Sequence, residues 1–210
     1  LGELVEAHPN HFEGRFNLAA AYAKAERYPE AAEQYRLALQ LDPENHLARL
    51  SAAKALANSN RHQEAINDFD RVIDLHPSLS NAHLNRGVSL DELRKHREAT
   101  AAYTEAIRFN PENANAFFNR ARTHYHLGNI QETIADYSDA IKLAPDDAEA
   151  FNNRGLAFDA AGEYHRAVDD AHDPRQTVRL RGIDGEDSRM SVSASDRREI
   201  KGARRIGQVL

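Results

Sequence analysis

Along residues 12–171 small and apolar residues return at helical spacing in two blocks per period, and the period is 34 residues. The first block carries a small residue at Ala19, Ala53, Gly87, Ala121 and Gly155, with a larger neighbour at Tyr22, Leu56, Leu90, His124 and Phe158. The second block carries Ala31, Ala65, Ala99, Thr133 and Ala167, then aromatics at Tyr35, Phe69, Tyr103 and Tyr137, then Ala38, Val72, Ala106 and Ala140. A short polar turn separates the blocks near Glu26–Arg27, Asn60–Arg61, Arg94–Lys95, Gly128–Asn129 and Gly162–Glu163. Small side chains at matched places let two helices approach closely while the larger neighbours fill the gaps. Each period therefore reads as a helix hairpin, and these residues, the Tyr series included, read as core rather than binding surface.

Prolines punctuate the same period: Pro9, Pro43, Pro77, Pro111 and Pro145 each follow an apolar helix end that a proline cannot continue. They divide the chain into a half repeat over 1–11, full repeats over 12–45, 46–79, 80–113 and 114–147, and a partial repeat over 148–172, so the chain is expected to be a fragment that opens in mid-repeat. The next proline is due at 179, where Arg179 stands. Before it, Ala171 replaces the aromatic and Pro174 the small residue of the second block. Residues 173–210 hold no aromatic and are interspersed with Gly, Ser and Arg, so they are expected to be disordered. The exception is a short helix over 196–210, which Asp196 and Glu199 can cap and which could cover the last repeat. Two origins fit the abrupt break: a divergent tail, or a shift of reading frame, which translation of the other frames would reveal.

The run Ala-Phe-Phe-Asn-Arg-Ala…Tyr…Gly-Asn…Glu-Thr-Ile-Ala-Asp-Tyr…Ala-Ile-Lys-Leu-Ala-Pro resembles the 34-residue signature of the tetratricopeptide repeat family, and the likeness extends over about residues 1–171. The resemblance implies an all-α fold, an α-solenoid of antiparallel helix hairpins wound into a right-handed superhelix. First helices would line its concave groove. The signature speaks to fold much more than to function.

Charge and composition narrow the partners. Residues 1–172 carry 18 Lys and Arg against 27 Asp and Glu, and 173–210 carry 9 against 6. An acidic array lacks the clustered cations that phosphate backbones require, which argues against nucleic acid. Apolar runs are far shorter than the roughly 18 residues of a membrane span, so no direct membrane insertion is expected. With no cysteine, thiolate metal sites, disulfides and a cysteine nucleophile are excluded. There is no glycine-rich phosphate loop, nucleophile elbow or paired-histidine zinc motif, so no catalytic residue, metal site or cofactor is expected. His124 and His126 are two residues apart and point to nearly opposite helix faces. His124 also fills a slot held elsewhere by Tyr, Leu or Phe, and reads as core.

A polar series stands out: Asn17, Ser51, Asn85, Asn119 and Asn153, one per repeat. The family resemblance puts this slot on the concave wall. A side-chain amide both donates and accepts, so a row of them can hold an extended peptide backbone without reading its sequence. The row resembles the asparagine ladder of O-linked N-acetylglucosamine transferases, interrupted by Ser51. On the same implied wall lie Phe16, Leu50, Leu84 and Phe118, with Lys54, Arg122 and Tyr125. The two cations favour an acidic or C-terminal segment. Where co-chaperone members of the family carry the later cations of a carboxylate clamp, this chain has Asn81, Asn115, Asn85 and Asn119, which disfavours chaperone tails. Arg86, Arg120 and Arg154 are expected to pair with Asp68, Asp136 and Asp170 between packed helices. The expected function is a non-catalytic scaffold binding an extended peptide of a partner protein. Two alternatives are the substrate-recognition arm of a larger enzyme such as a glycosyltransferase, and a scaffold that self-associates through open repeat ends.

Overall fold

A computed structural model of the chain describes residues 11–171; the rest of the expected half repeat, the end of the partial repeat and the expected helix over 196–210 lie outside the described residues. Among the described residues there are ten helices and no strand. They form five pairs: α1 (Phe12–Lys24) with α2 (Tyr28–Leu41), α3 (His46–Asn58) with α4 (His62–Leu75), α5 (Ser80–Glu92) with α6 (His96–Phe109), α7 (Ala114–His126) with α8 (Ile130–Leu143), and α9 (Ala148–Ala160) with α10 (Tyr164–Ala171). Each first helix packs on its own second helix and on the second helix of the pair before it, so the chain folds as an all-α solenoid.

Two kinds of turn enforce this path. Within each pair the chain reverses through one left-handed residue, at Glu26 (φ 57°), Asn60 (63°), Arg94 (61°), Gly128 (77°) and Gly162 (76°). The following amide reaches back five residues, as Arg27 N–H to Tyr22 O (2.9 Å) and Glu163 N–H to Phe158 O (2.8 Å), satisfying a carbonyl the helix end would leave bare. Between pairs, proline stands second in a four-residue turn closed by Asn45 N–H to Asp42 O (3.4 Å), Leu79 to His76 (3.1 Å), Asn113 to Asn110 (3.3 Å) and Asp147 to Ala144 (3.1 Å). Proline's fixed φ suits that position. Side chains then cap three of the first helices: His11 Nδ1 accepts from Gly14, Asn45 from Ala48 and Asp147 from Glu149 and Ala150.

The core runs from pair to pair. Ala31, Ala38, Ala65, Phe69, Val72, Tyr103, Ala106 and Thr133 on the second helices are fully buried, and Tyr35, Tyr137 and Ala140 nearly so. Opposite them lie Ala19, Ala53, Ala121 and Gly87, the last so close that a β-carbon there would meet the Tyr103 ring at 2.5 Å. A further buried series begins the first helices, at Gly14, Ala48, Ala82, Ala116 and Ala150.

The arginines tie three helices together. Arg120 from α7 forms a two-pronged pair with Asp136 on α8 (both 2.7 Å) and also donates to Thr104 on α6 (3.0 Å). Arg154 from α9 does the same with Asp170 on α10 (2.8 and 2.6 Å) and Ser138 on α8 (3.1 Å). Arg86 differs from expectation. Its partner is Asp70 on α4, while Asp68 belongs to Arg49 (3.2 Å). The reason is register: sixteen residues after Arg86, where Arg120 and Arg154 find Asp136 and Asp170, stands Ala102, so Arg86 turns to the residue sixteen before it.

Candidate functional site

Successive first helices touch one another, α3 with α5, α5 with α7 and α7 with α9, whereas successive second helices make no comparable contact. The stack therefore curves with its first helices inside, and every candidate residue stands on one of these first helices.

Asn17 is exposed on α1, and Ser51, Asn85, Asn119 and Asn153 are half-buried on α3, α5, α7 and α9. The five are not equivalent. Asn85 Nδ2 donates to its own helix at Asn81 O (2.6 Å) and Asn119 Nδ2 to Asn115 O (2.9 Å), which leaves each amide its Oδ1 and one N–H. Ser51 makes a polar contact with the Tyr35 hydroxyl, and Asn153 with that of Tyr137, in each case the tyrosine sixteen residues earlier. Burial raises the pKa of both tyrosines, Tyr137 to about 12, against the opposing effect of these contacts.

Phe118 is half-buried and sets its ring edge-on to Tyr137 (5.4 Å), as Phe16 does to Tyr35 (5.4 Å), so it shares itself between wall and core. Lys54 is exposed, and Tyr125 shows 43% of its surface. Arg122 is half-engaged: its side chain is 41% exposed, with NH2 3.8 Å from Asp91.

Asp91 was not foreseen. It is buried on α5, where it accepts from His96 Nδ1 (2.7 Å) and Thr123 Oγ1 (2.8 Å), and His96 stacks on His126 (ring centroids 5.2 Å). Its sequence signal was a departure from period. The period puts Ala23, Ala57, Asp91, Tyr125 and Asp159 at one place, so alanine gives way at Asp91, and where other repeats have Ala21, Ala55 and Ala157 there are Ser89 and Thr123. The network pins α5, α6 and α7 together beneath Arg122 and supplies a polar floor to that stretch of wall.

His124 is largely buried, 3.2 Å from Asn129 Nδ2, in the slot of Leu90 and Phe158. Among the described residues no group of three or more His, Asp or Glu is placed to hold a metal ion, and no helix is long and apolar enough to cross a membrane.

Comparison with known proteins places this architecture. The crystal structure of MamA protein superposes with a TM-score of 0.72 at 19% identity, covering 81% of this chain and 92% of that one. MamA 41-end from Desulfovibrio magneticus RS-1 gives 0.75 at 17% identity, covering 82% and 97%. YrrB, described as a TPR protein with an unusual peptide-binding site, gives 0.65 at 18% identity, covering 87% and 97%. At these identities the likeness is one of fold. No curated protein sequence matches the chain significantly. Family models described as tetratricopeptide repeat match residues 12–45, 50–96 and 84–138, and one described as TPR repeat matches 121–162. With its repeats matched by sequence and its helix pairs stacked as a solenoid, the chain belongs to the tetratricopeptide repeat family.

Proposed function

We propose that this chain is a non-catalytic interaction scaffold that holds an extended peptide of a partner protein along its inner wall. The observation that carries the reading is the pair Asn85 and Asn119, which sit at the same place on neighbouring first helices, each with an amide oxygen and one N–H uncommitted. Such groups match the alternating N–H and C=O of an extended backbone, which has no internal hydrogen bonds of its own to lose. Leu47 on α3, 57% exposed, and Tyr125 on α7 add apolar surface. Lys54 and the half-engaged Arg122 favour an acidic segment, with binding that weakens as salt rises. YrrB, a family member of similar fold with a peptide-binding site, supports the reading by analogy.

The test is selection of a random dodecapeptide library displayed on phage against the full 210-residue chain. Peptides rich in Asp and Glu should be enriched, and replacing Asn85, Asn119 and Asn153 together by Ala should abolish their binding while helicity stays unchanged. Failure to enrich any peptide, or undiminished binding by the triple variant, would overturn the reading.

Self-association is a second reading with an observation of its own. On the α9–α10 pair Leu156 and Tyr164 are 55% and 65% exposed beside a hollow of about 300 Å³ lined by Asn152, Gly155, Asp159, Ala167 and Ala171. An apolar face of that kind is an association surface when left uncovered. A sedimentation coefficient independent of concentration would remove this reading.

A further inference from the structure

The core aromatics of the second helices and the ladder residues sixteen positions on follow one register: Tyr35 with Ser51, Phe69 with Asn85, Tyr103 with Asn119 and Tyr137 with Asn153. Where the aromatic is Tyr35 or Tyr137, its hydroxyl meets its ladder partner. Phe69 has no hydroxyl to offer. Tyr103 has one, yet it meets nothing: the Tyr103 side chain is fully buried and its Oη has no hydrogen-bond partner. Asn119, sixteen residues on, is turned to Asn115 O.

The cause is local. Residue 87, alanine at the matching places 19, 53 and 121, is Gly87, and a β-carbon there would stand 2.5 Å from Tyr103 Cε1 and 3.0 Å from Cζ. The missing methyl leaves room for the ring against α5, where the charges of Asp91 and Arg122 act on it. A buried hydroxyl without a partner is costly, and natural proteins seldom keep one without a use.

We infer that Tyr103 is a positioning residue for Asn119. Its hydroxyl is held without a partner in the free protein and is engaged when a bound peptide draws the Asn119 amide off Asn115 O. In that arrangement Asn119 completes the Tyr–ladder contact already present at Ser51 and Asn153. The exchange pairs the Tyr103 hydroxyl, so the free protein stores at this ring a polar deficit that binding removes. It also assigns the strongest grip on the peptide to the junction of α5, α6 and α7, where Arg122 stands ready for an acidic side chain. This inference rests on the peptide-binding reading above and specifies its central contact.

The experiment uses the most enriched dodecapeptide from the phage selection, labelled with fluorescein, against the full chain and its Tyr103→Phe variant. Removing a hydroxyl that has no partner should leave the thermal midpoint unchanged or raise it. Binding of the labelled peptide should nevertheless weaken about tenfold, the worth of one good hydrogen bond. In the unaltered chain the side-chain amide resonance of Asn119 should move on peptide addition, and in the variant it should move much less. Equal affinity of variant and parent, a still Asn119 resonance on binding, or a lowered thermal midpoint that accounts for the lost affinity each overturns the inference while leaving the groove reading in place. Failure to enrich any peptide at all overturns both.

Discussion

At the scale of single residues, the sharpest contrast lies at the five left-handed positions. Gly128 and Gly162 take a positive φ freely, whereas Glu26 and Arg94 hold φ 57° and 61° with a β-carbon that crowds the backbone there, at about 1 kcal/mol each. Both are exposed, so nothing else depends on their side chains. Glu26→Gly and Arg94→Gly should therefore each stabilise the chain by about 0.5–1 kcal/mol, read as a higher urea midpoint at unchanged slope, and Gly128→Ala should do the reverse. The turn sites could be read from the sequence, but not the strain at Glu26 and Arg94, because period alone says nothing of φ. The arginine pairs show the same limit. Asp136 and Asp170 followed from spacing, whereas Arg86 reaches Asp70 because Ala102 removes the regular partner. The ladder residues were visible as a series. Their inequality was not, since it depends on whether the residue sixteen before has a hydroxyl and how deep that ring sits.

At the scale of the helix, the first helices differ mainly in how they begin. Leu79 sets φ −78° and ψ 88° before α5, close to the −79° and 91° of Asp147 before α9, yet its side chain has no oxygen to offer the first turn, where Ala82 N–H turns to the Leu79 carbonyl instead (2.9 Å). Asp147 accepts from both Glu149 and Ala150 in the same geometry. Leu79→Asp should thus insert a cap without moving the backbone and place a negative charge at the positive end of the helix dipole. The expected gain is about 1 kcal/mol, and Asp147→Ala should lose a similar amount; hydrogen exchange at the first turns of α5 and α9 would localise both effects. If Leu79→Asp leaves the exchange of the α5 amides unchanged, capping is not what limits that helix. Helix existence was the most legible feature of the sequence, because apolar periodicity and the proline turns agree in every repeat. The buried Gly14, Ala48, Ala82, Ala116 and Ala150 series was missed for the opposite reason. An alanine near a helix start is equally at home exposed, and only the packed neighbour shows it to be core.

Over the whole molecule, stability is distributed along a row of interfaces, each built on one large second-helix ring against small first-helix residues. Three of those rings are tyrosines, and that makes the array sensitive to alkali. Burial disfavours the phenolate and raises the pKa of Tyr35, Tyr137 and Tyr103; Tyr137 reaches about 12, and Tyr103, with the Asp91 carboxylate adding to the same effect, lies well above the ordinary tyrosine range. The sign follows from linkage. The unfolded chain releases these protons near pH 10 and the folded chain only above it, so the stability they contribute is whole below pH 10 and is lost as pH rises toward 12. For Tyr137 alone the loss amounts to about 2–3 kcal/mol, a large share of the few kcal/mol by which a single domain is stable. Because neighbouring repeats share each interface, a phenolate formed in one pair should loosen the next, and unfolding should be cooperative across the array. Phenolate absorbance and far-ultraviolet helicity followed together from pH 9 to 13 should show a class of tyrosines that ionises only as helicity falls. Tyr137→Phe and Tyr103→Phe should each shift that transition to higher pH, which separates the tyrosines from lysines losing charge in the same range. Complete tyrosine ionisation with helicity intact would mean that the interfaces open to solvent one at a time rather than as a coupled row.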